Sequence, residues 1–192
     1  MKVVEGVSQF KENVYPHMEG EFQALAGGQA PETLFITCSD SRIDPALITQ
    51  SNPGEIFVIR NAGNLVPKPG TGELAVEATI QYAVQVLQVK HVVVCGHSHC
   101  GAVKGLLDLE SLNTLPAVKD WVSKSKSILE GGTPSVDEAI QKNVMLQLDN
   151  LMEYPYVAEA VQSNSLQLHG WVYVFESGKV EFLTDSANKE TT

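Results

Sequence analysis

Cysteine, positive charge and long apolar runs are all scarce in this sequence. Three cysteines without a secretory leader do not suggest a disulfide framework. Lys and Arg total 13 against 23 Asp and Glu, a net charge of −10, which argues against nucleic acid or anionic membrane partners. No apolar run approaches the roughly 18 residues that span a bilayer. Glu5, Lys11 and Glu12 would interrupt a signal peptide. We therefore expect a cytoplasmic protein.

The length and the absence of repeats predict a single domain over residues 1–192, with residues 1–28 as an amino-terminal helical arm. Apolar residues recur in this arm at three- and four-residue steps, which is typical of an amphipathic helix. They are Val3, Val7, Phe10, Val14, Met18, Phe22 and Leu25. Pro16 marks a point at which this helix can break.

The rest of the chain alternates strand-like and helix-like segments. Apolar runs predict strands at residues 34–38, 56–60 and 91–95, and a hairpin at residues 166–175 and 180–183. Helical spacing occupies residues 72–87, 102–107, 116–129 and 136–151. The pattern predicts an α/β fold with a mostly parallel central sheet flanked by helices and an antiparallel edge strand near the carboxyl terminus.

Cys38 ends the first predicted strand, and His97 and Cys100 follow the strand at residues 91–95. Ligands in such sheets bind beyond the carboxyl ends of the strands, so these three side chains are candidate zinc ligands. The fourth position is left to Asp40 or water, and an open position is typical of a catalytic zinc that lowers the pKa of its bound water to about 7. Cys95 lies inside the valine run and is predicted to be a packing residue.

Asp40 and Arg42 lie two residues apart, directly after the first candidate ligand. A carboxylate there can orient a zinc-bound water, and arginine keeps such a carboxylate ionised. His99 is predicted to lie beside the site or at the surface, outside the ligand set. The other histidines, His17, His91 and His169, are predicted to be ordinary histidines without companions.

These residues belong to segments that resemble the β-carbonic anhydrases. The resemblance rests on Cys38-Ser39-Asp40-Ser41-Arg42, His97-Ser98-His99-Cys100-Gly101, Arg60-Asn61-Ala62-Gly63-Asn64, Gly70-Thr71-Gly72, Gln81-Tyr82-Ala83 and Gly170-Trp171-Val172-Tyr173. It covers nearly the whole chain and is strongest toward bacterial and cyanobacterial members, including some found in carboxysomes. The long carboxyl-terminal extension of some of those is not seen here.

The resemblance implies reversible hydration of carbon dioxide to bicarbonate by zinc-hydroxide attack, with one zinc per chain. It implies Cys38, His97 and Cys100 as zinc ligands and Asp40 and Arg42 as the catalytic dyad. It also implies a homodimer or higher homo-oligomer, with the amino-terminal arm embracing the partner.

Within this family the chain resembles the subgroup of plant-like enzymes with an open zinc. The resemblance implies a carbon dioxide pocket containing Gln29, Phe57 and Tyr82, with the glutamine supplied by the partner subunit. Phe35 stands where the regulated bacterial enzymes carry a tryptophan in a second bicarbonate pocket, although Arg60 of that pocket is present.

Three alternatives stay open at this point. Relatives of this fold hydrolyse carbon disulfide or carbonyl sulfide at a similar zinc. A zinc-stabilised scaffold without activity would keep Asp40 on the metal permanently. Cys95 and Cys100 could instead form a redox thiol site. The proton shuttle is also undecided between Tyr82 and His99.

Overall fold

The computed structural model of the chain describes residues 1–184, so the last eight residues of the predicted 1–192 domain lie outside the described part. The chain divides into two compact units, Met1–Ala30 and a second that begins at Pro31. No helix within the described range has the length and apolar character needed to cross a bilayer.

The first unit is helical, as the apolar stripe predicts. Helix α1 (Lys2–Gln9) and helix α2 (Tyr15–Leu25) are joined by a π-helical stretch at Phe10–Val14. Pro16 has no amide proton to donate, and the wider turn before it lets the Tyr15 N–H reach the Phe10 carbonyl. The helix therefore changes its pitch ahead of the proline and does not break.

The second unit contains a five-stranded sheet in the order β2-β1-β3-β4-β5. Its strands are β1 (Thr33–Cys38), β2 (Ile56–Asn61), β3 (His91–His97), β4 (Gln167–Tyr173) and β5 (Val180–Phe182). The first four pair in parallel, and β5 pairs antiparallel with β4 at the edge. The α/β architecture predicted from the sequence is confirmed.

The described part of this unit has six α-helices. They are α3 (Pro45–Thr49), α4 (Leu74–Gln81), α5 (Gly101–Leu107), α6 (Pro116–Ser123), α7 (Val136–Met152) and α8 (Pro155–Gln162). The helix predicted for residues 116–129 ends at Ser123, and a 3₁₀ turn follows at Lys126–Leu129. Between them, the buried Ser125 donates from Oγ to Asn143 Oδ1. Ser135 and Glu138 start α7 with a capping box.

Helix α7 packs directly on β3 near its carboxyl end and on the middle of β4. A Cβ atom at Gly96 would lie 2.9 Å from Val144 Cγ2, and one at Gly170 would lie 3.0 Å from Leu148 Cδ1. Two glycines therefore let the helix approach the sheet closely and fix its position beside the strand end that carries His97.

Candidate metal centre

Three predicted ligands lie close together at the carboxyl ends of the parallel strands. Cys38 ends β1, His97 ends β3, and Cys100 immediately precedes α5. Their donor atoms all lie within 4.8 Å of one another, and the two sulfur atoms are 4.0 Å apart. Two thiolates on one tetrahedral zinc stand about 3.8 Å apart, so the spacing suits that metal.

His97 presents one free nitrogen to this cluster. Its Nδ1 lies 2.9 Å from the Ser98 carbonyl, so Nδ1 carries the proton and Nε2 keeps its lone pair. The His97 side chain is fully buried, and Nε2 has no hydrogen-bond partner among residues 1–184. A buried nitrogen without a partner is costly, and a metal ion would satisfy it.

The thiols of Cys38 and Cys100 have pKa values shifted in opposite directions. The hydrogen bond with Cys100 lowers the pKa of Cys38 well below the ordinary thiol value, against the opposing effect of burial. The same contact, reinforced by burial, raises the pKa of Cys100. A divalent cation between the two sulfurs would favour both thiolates, since the metal ligand is the deprotonated form.

Asp40 and Arg42 form a bidentate ion pair beside the cluster. Arg42 donates from Nε to Asp40 Oδ1 at 2.9 Å and from Nη2 to Asp40 Oδ2 at 2.7 Å. This pairing holds the pKa of the Asp40 carboxyl well below its usual range. Asp40 Oδ2 also lies 3.9 Å from His97 Nε2, so the charged carboxylate faces the donor cluster.

Known proteins resemble this chain along nearly its whole length. A family model described as carbonic anhydrase matches residues 33–180. A carbonic anhydrase of Synechococcus elongatus is 44% identical, over 99% of this chain and 74% of that protein. The structure of the β-carbonic anhydrase CcaA has a TM-score of 0.91 at 41% identity and covers 95% of this chain and 94% of its own. The chain belongs to the β class of carbonic anhydrases.

A further structure comes from two tetrameric β-carbonic anhydrases of Sordaria macrospora, with a TM-score of 0.75 at 33% identity. It covers 95% of this chain and 92% of its own. The family and the enzyme class predicted from the sequence motifs are confirmed: the protein is a carbonic anhydrase, a lyase of carbon dioxide hydration.

Arg60 binds the backbone of the loop that carries Asp40 in this carbonic anhydrase. Its guanidinium donates to the backbone carbonyls of Cys38 at 3.0 Å, Asp40 at 2.7 Å and Ile43 at 2.9 Å. The resemblance had linked Arg60 to a second bicarbonate pocket. In this structure its donors are instead bound to the loop that carries the candidate ligand and the dyad.

Phe175 contacts both halves of the carbonic anhydrase site. Its ring stacks on His97 with centroids 5.0 Å apart, and the Arg42 guanidinium carbon lies 4.7 Å above the ring. His99 lies outside the donor cluster, as predicted: its ring contacts Glu176, and its carbonyl accepts from Arg42 Nη2. Sequence spacing missed Phe175 because it follows β4, 78 residues after His97.

The predicted substrate residues do not all lie by the donor cluster. Phe57 and Tyr82 contact each other, with ring centroids 6.0 Å apart. Phe57 stands four residues before Asn61, the β2 partner of Cys38, which is about 13 Å along the strand. Gln29 is exposed in the amino-terminal unit. Their roles in substrate binding stay predictions.

Of the predictions for the other cysteine and histidines, the one for Cys95 is confirmed and the one for His91 and His169 is not. Cys95 is fully buried, and burial raises the pKa of its thiol to about 12, as suits an inert packing residue. The prediction that His91 and His169 lack companions is wrong. Parallel pairing of β3 and β4 brings His91 Nδ1 within 3.1 Å of His169 Nε2.

Proposed function

We propose that this carbonic anhydrase hydrates carbon dioxide reversibly at one zinc ion held by Cys38, His97 and Cys100. The observation that carries the proposal is the unpartnered, fully buried His97 Nε2 facing two buried thiols. Bound zinc supplies Lewis acidity, which lowers the pKa of a coordinated water to about 7. Two thiolates and one neutral imidazole would hold the metal and would leave room for one water ligand.

Asp40 and Arg42 orient the nucleophile in this proposal. The charged Asp40 Oδ2 faces the cluster and accepts a hydrogen bond from the attacking water, fixing its direction. Arg42 holds the same carboxylate with two parallel donors, which keep Asp40 ionised and would keep it from binding the metal directly. This pairing supports the open, plant-like subgroup. His99, which is exposed and bonded to Glu176, is the better placed candidate for passing the proton to solvent.

The carbon dioxide pocket is proposed to form between subunits. A strand length separates Phe57 from Cys38 of its own chain, and Tyr82 contacts Phe57. We therefore infer that both serve a partner's site, with Gln29 as the third pocket residue. Val58 on edge strand β2 is an exposed apolar side chain, and so are Tyr82, which contacts Phe57 of that strand, and Val86. The tetrameric enzymes of Sordaria macrospora support a homo-oligomer. The three cysteines are free thiols, which fits the predicted cytoplasmic location.

Deleting residues 1–26 is expected to give an unstable or monomeric protein with weak activity. The amino-terminal helices expose an apolar stripe that needs a surface to cover: Val3 is 71% exposed, Val7 65% and Phe10 43%. Sedimentation and carbon dioxide hydration rates measure the effect. Val7→Lys, on the stripe, is expected to weaken assembly, whereas Gln9→Lys on the same helix serves as its control. A fully active monomer after the deletion would contradict the proposed assembly.

The function is tested by metal removal and substrate comparison. The purified protein is expected to contain one zinc per chain, to lose carbon dioxide hydration when a chelator removes the metal, and to regain it with zinc. Carbon disulfide and carbonyl sulfide are assayed in parallel, and faster turnover of either would overturn the substrate assignment. Folded, zinc-loaded protein without any of the three activities would favour the scaffold alternative.

A further inference from the structure

Helix α7 carries a row of buried polar side chains that the proposed reaction does not use. Asn143, Gln147 and Asn150 follow one another at four- and three-residue steps and are 2%, 1% and 5% exposed. A buried amide destabilises the fold unless its hydrogen bonds are satisfied. The hydrogen-bond partners of these three side chains therefore indicate their role.

All three side chains bind one backbone segment, Gly63–Pro67, which follows β2. Asn143 Nδ2 donates to the Gly63 carbonyl at 3.0 Å. Gln147 Oε1 accepts from the Val66 N–H at 2.8 Å, and Asn150 Nδ2 donates to the Val66 carbonyl at 2.8 Å. The segment is therefore held at its beginning by Asn143 and further along by the other two.

The beginning of this segment touches the candidate metal centre. The Gly63 N–H donates to Cys38 Sγ at 3.3 Å. Gly63 has φ +83°, and a Cβ there would lie 2.7 Å from Leu65 Cδ1 and 3.0 Å from the Ala102 side chain. Only glycine allows this peptide to approach the sulfur, but glycine alone does not fix the direction of its N–H.

Asn143 is itself fixed in one orientation. Its Oδ1 accepts from Ser125 Oγ at 2.8 Å and from Gln147 Nε2 at 2.8 Å, so its NH₂ group must face Gly63. The helix below it is seated on the sheet at Gly96, through Val144. The Gly63 carbonyl is thus tied to a rigid helix.

We propose that Asn143 is a positioning residue for the metal centre: by binding the Gly63 carbonyl, it keeps the Gly63 N–H directed at Cys38 Sγ. The inference rests on the proposed zinc site and names a residue outside both motifs. A hydrogen bond to a thiolate ligand sets its orientation and its donor strength toward the metal. Loss of such outer contacts typically costs about 10- to 100-fold in metal affinity.

The test compares Asn143→Ala with Asn150→Ala. Each removes one buried amide of the same helix, but only the first releases Gly63. Zinc affinity is measured by chelator competition, the apo proteins are unfolded by urea, and exchange of the Gly63 amide proton is followed by NMR. We expect Asn143→Ala to weaken zinc binding about 10-fold or more and to speed Gly63 exchange. Asn150→Ala is expected to leave both nearly unchanged. In cobalt-substituted protein, the sulfur-to-cobalt charge-transfer band is expected to shift in the first variant alone.

Ser125→Ala provides a milder variant in case Asn143→Ala does not fold. It removes one of the two donors that orient Asn143, and a smaller loss of zinc affinity is expected. Equal zinc affinity in the unmodified chain and the Asn143 or Ser125 variant would overturn the positioning role while leaving the zinc site intact. If zinc affinity in both asparagine variants fell only as far as the stability of the apo protein fell, the positioning role would also be overturned. An unmodified protein that binds no zinc would overturn the metal site itself.

Discussion

Cys100→Ala is expected to lose both its zinc and its carbon dioxide hydration. The Cys100 sulfur is one of three donor atoms that lie within 4.8 Å of one another, and its side chain is fully buried beside Cys38. Alanine offers no lone pair, so two ligands would remain where a stable zinc site needs at least three protein ligands. Activity is expected to fall to the uncatalysed rate, since the chemistry depends on the metal.

Cys95→Ala is the matched control for this variant. Cys95 is also fully buried, but its thiol contacts the Gly96 carbonyl and lies outside the donor cluster. We expect full zinc content and near-normal activity, with a stability loss of about 1 kcal/mol from the lost packing. Metal analysis and hydration rates on both variants decide the matter. Full zinc occupancy in Cys100→Ala would remove Cys100 from the ligand set, and retained activity only in Cys100→Ala would point to Cys95 instead.

The grouping of Cys38, His97 and Cys100 was predictable because of how parallel sheets are built. The carboxyl ends of neighbouring parallel strands lie at one edge, so a cysteine that ends β1 and a histidine that ends β3 meet whatever the loops between them do. Asp40 and Arg42 were predictable as a pair because only Ser41 lies between them. In each case local sequence and a general fold rule fix the geometry.

The contacts that sequence reasoning missed all depend on how distant segments pack. Asn143 meets Gly63 across 80 residues, and His91 meets His169 across 78. The amide row of α7 looks like an ordinary polar face in the sequence, because helical spacing alone does not distinguish a solvent-facing amide from one that binds a buried loop. Arg60 was noticed only through the resemblance, which could not show that its donors bind the Asp40 loop.

The division of the carbon dioxide pocket between subunits was only partly predictable from the sequence. Motif matching places Gln29, Phe57 and Tyr82 in one pocket and assigns only the glutamine to the partner subunit. The register of β2 against β1 adds that Phe57 pairs with Leu34 and lies a strand length from Cys38 of its own chain. The fold therefore converts a set of pocket residues into a prediction about assembly.

Asp40→Asn is expected to keep its zinc and lose about 10²-fold or more in hydration rate, as is usual for a group that orients or exchanges a proton. Asparagine preserves the shape but removes the charge that accepts the hydrogen bond of the attacking water and pairs with Arg42. Asp44→Asn is the matched control: Asp44 caps α3 by accepting from the Leu47 N–H, and asparagine caps equally well. Equal rates in the two variants would exclude Asp40 from the reaction.

Arg42→Ala tests whether Arg42 keeps the Asp40 carboxylate from binding the metal. Two forces compete for the Asp40 carboxylate: the divalent metal, whose charge two thiolates formally cancel, and Arg42, whose two donors match the carboxylate oxygens. Without Arg42 we expect Asp40 to move onto the metal, so that zinc content stays intact while activity falls. The zinc coordination of the unmodified protein at pH 8 decides between the two arrangements. An Asp40 oxygen about 2.0–2.2 Å from the zinc there would show that aspartate closes the site even with Arg42 in place, because that is the bonding distance of a carboxylate ligand.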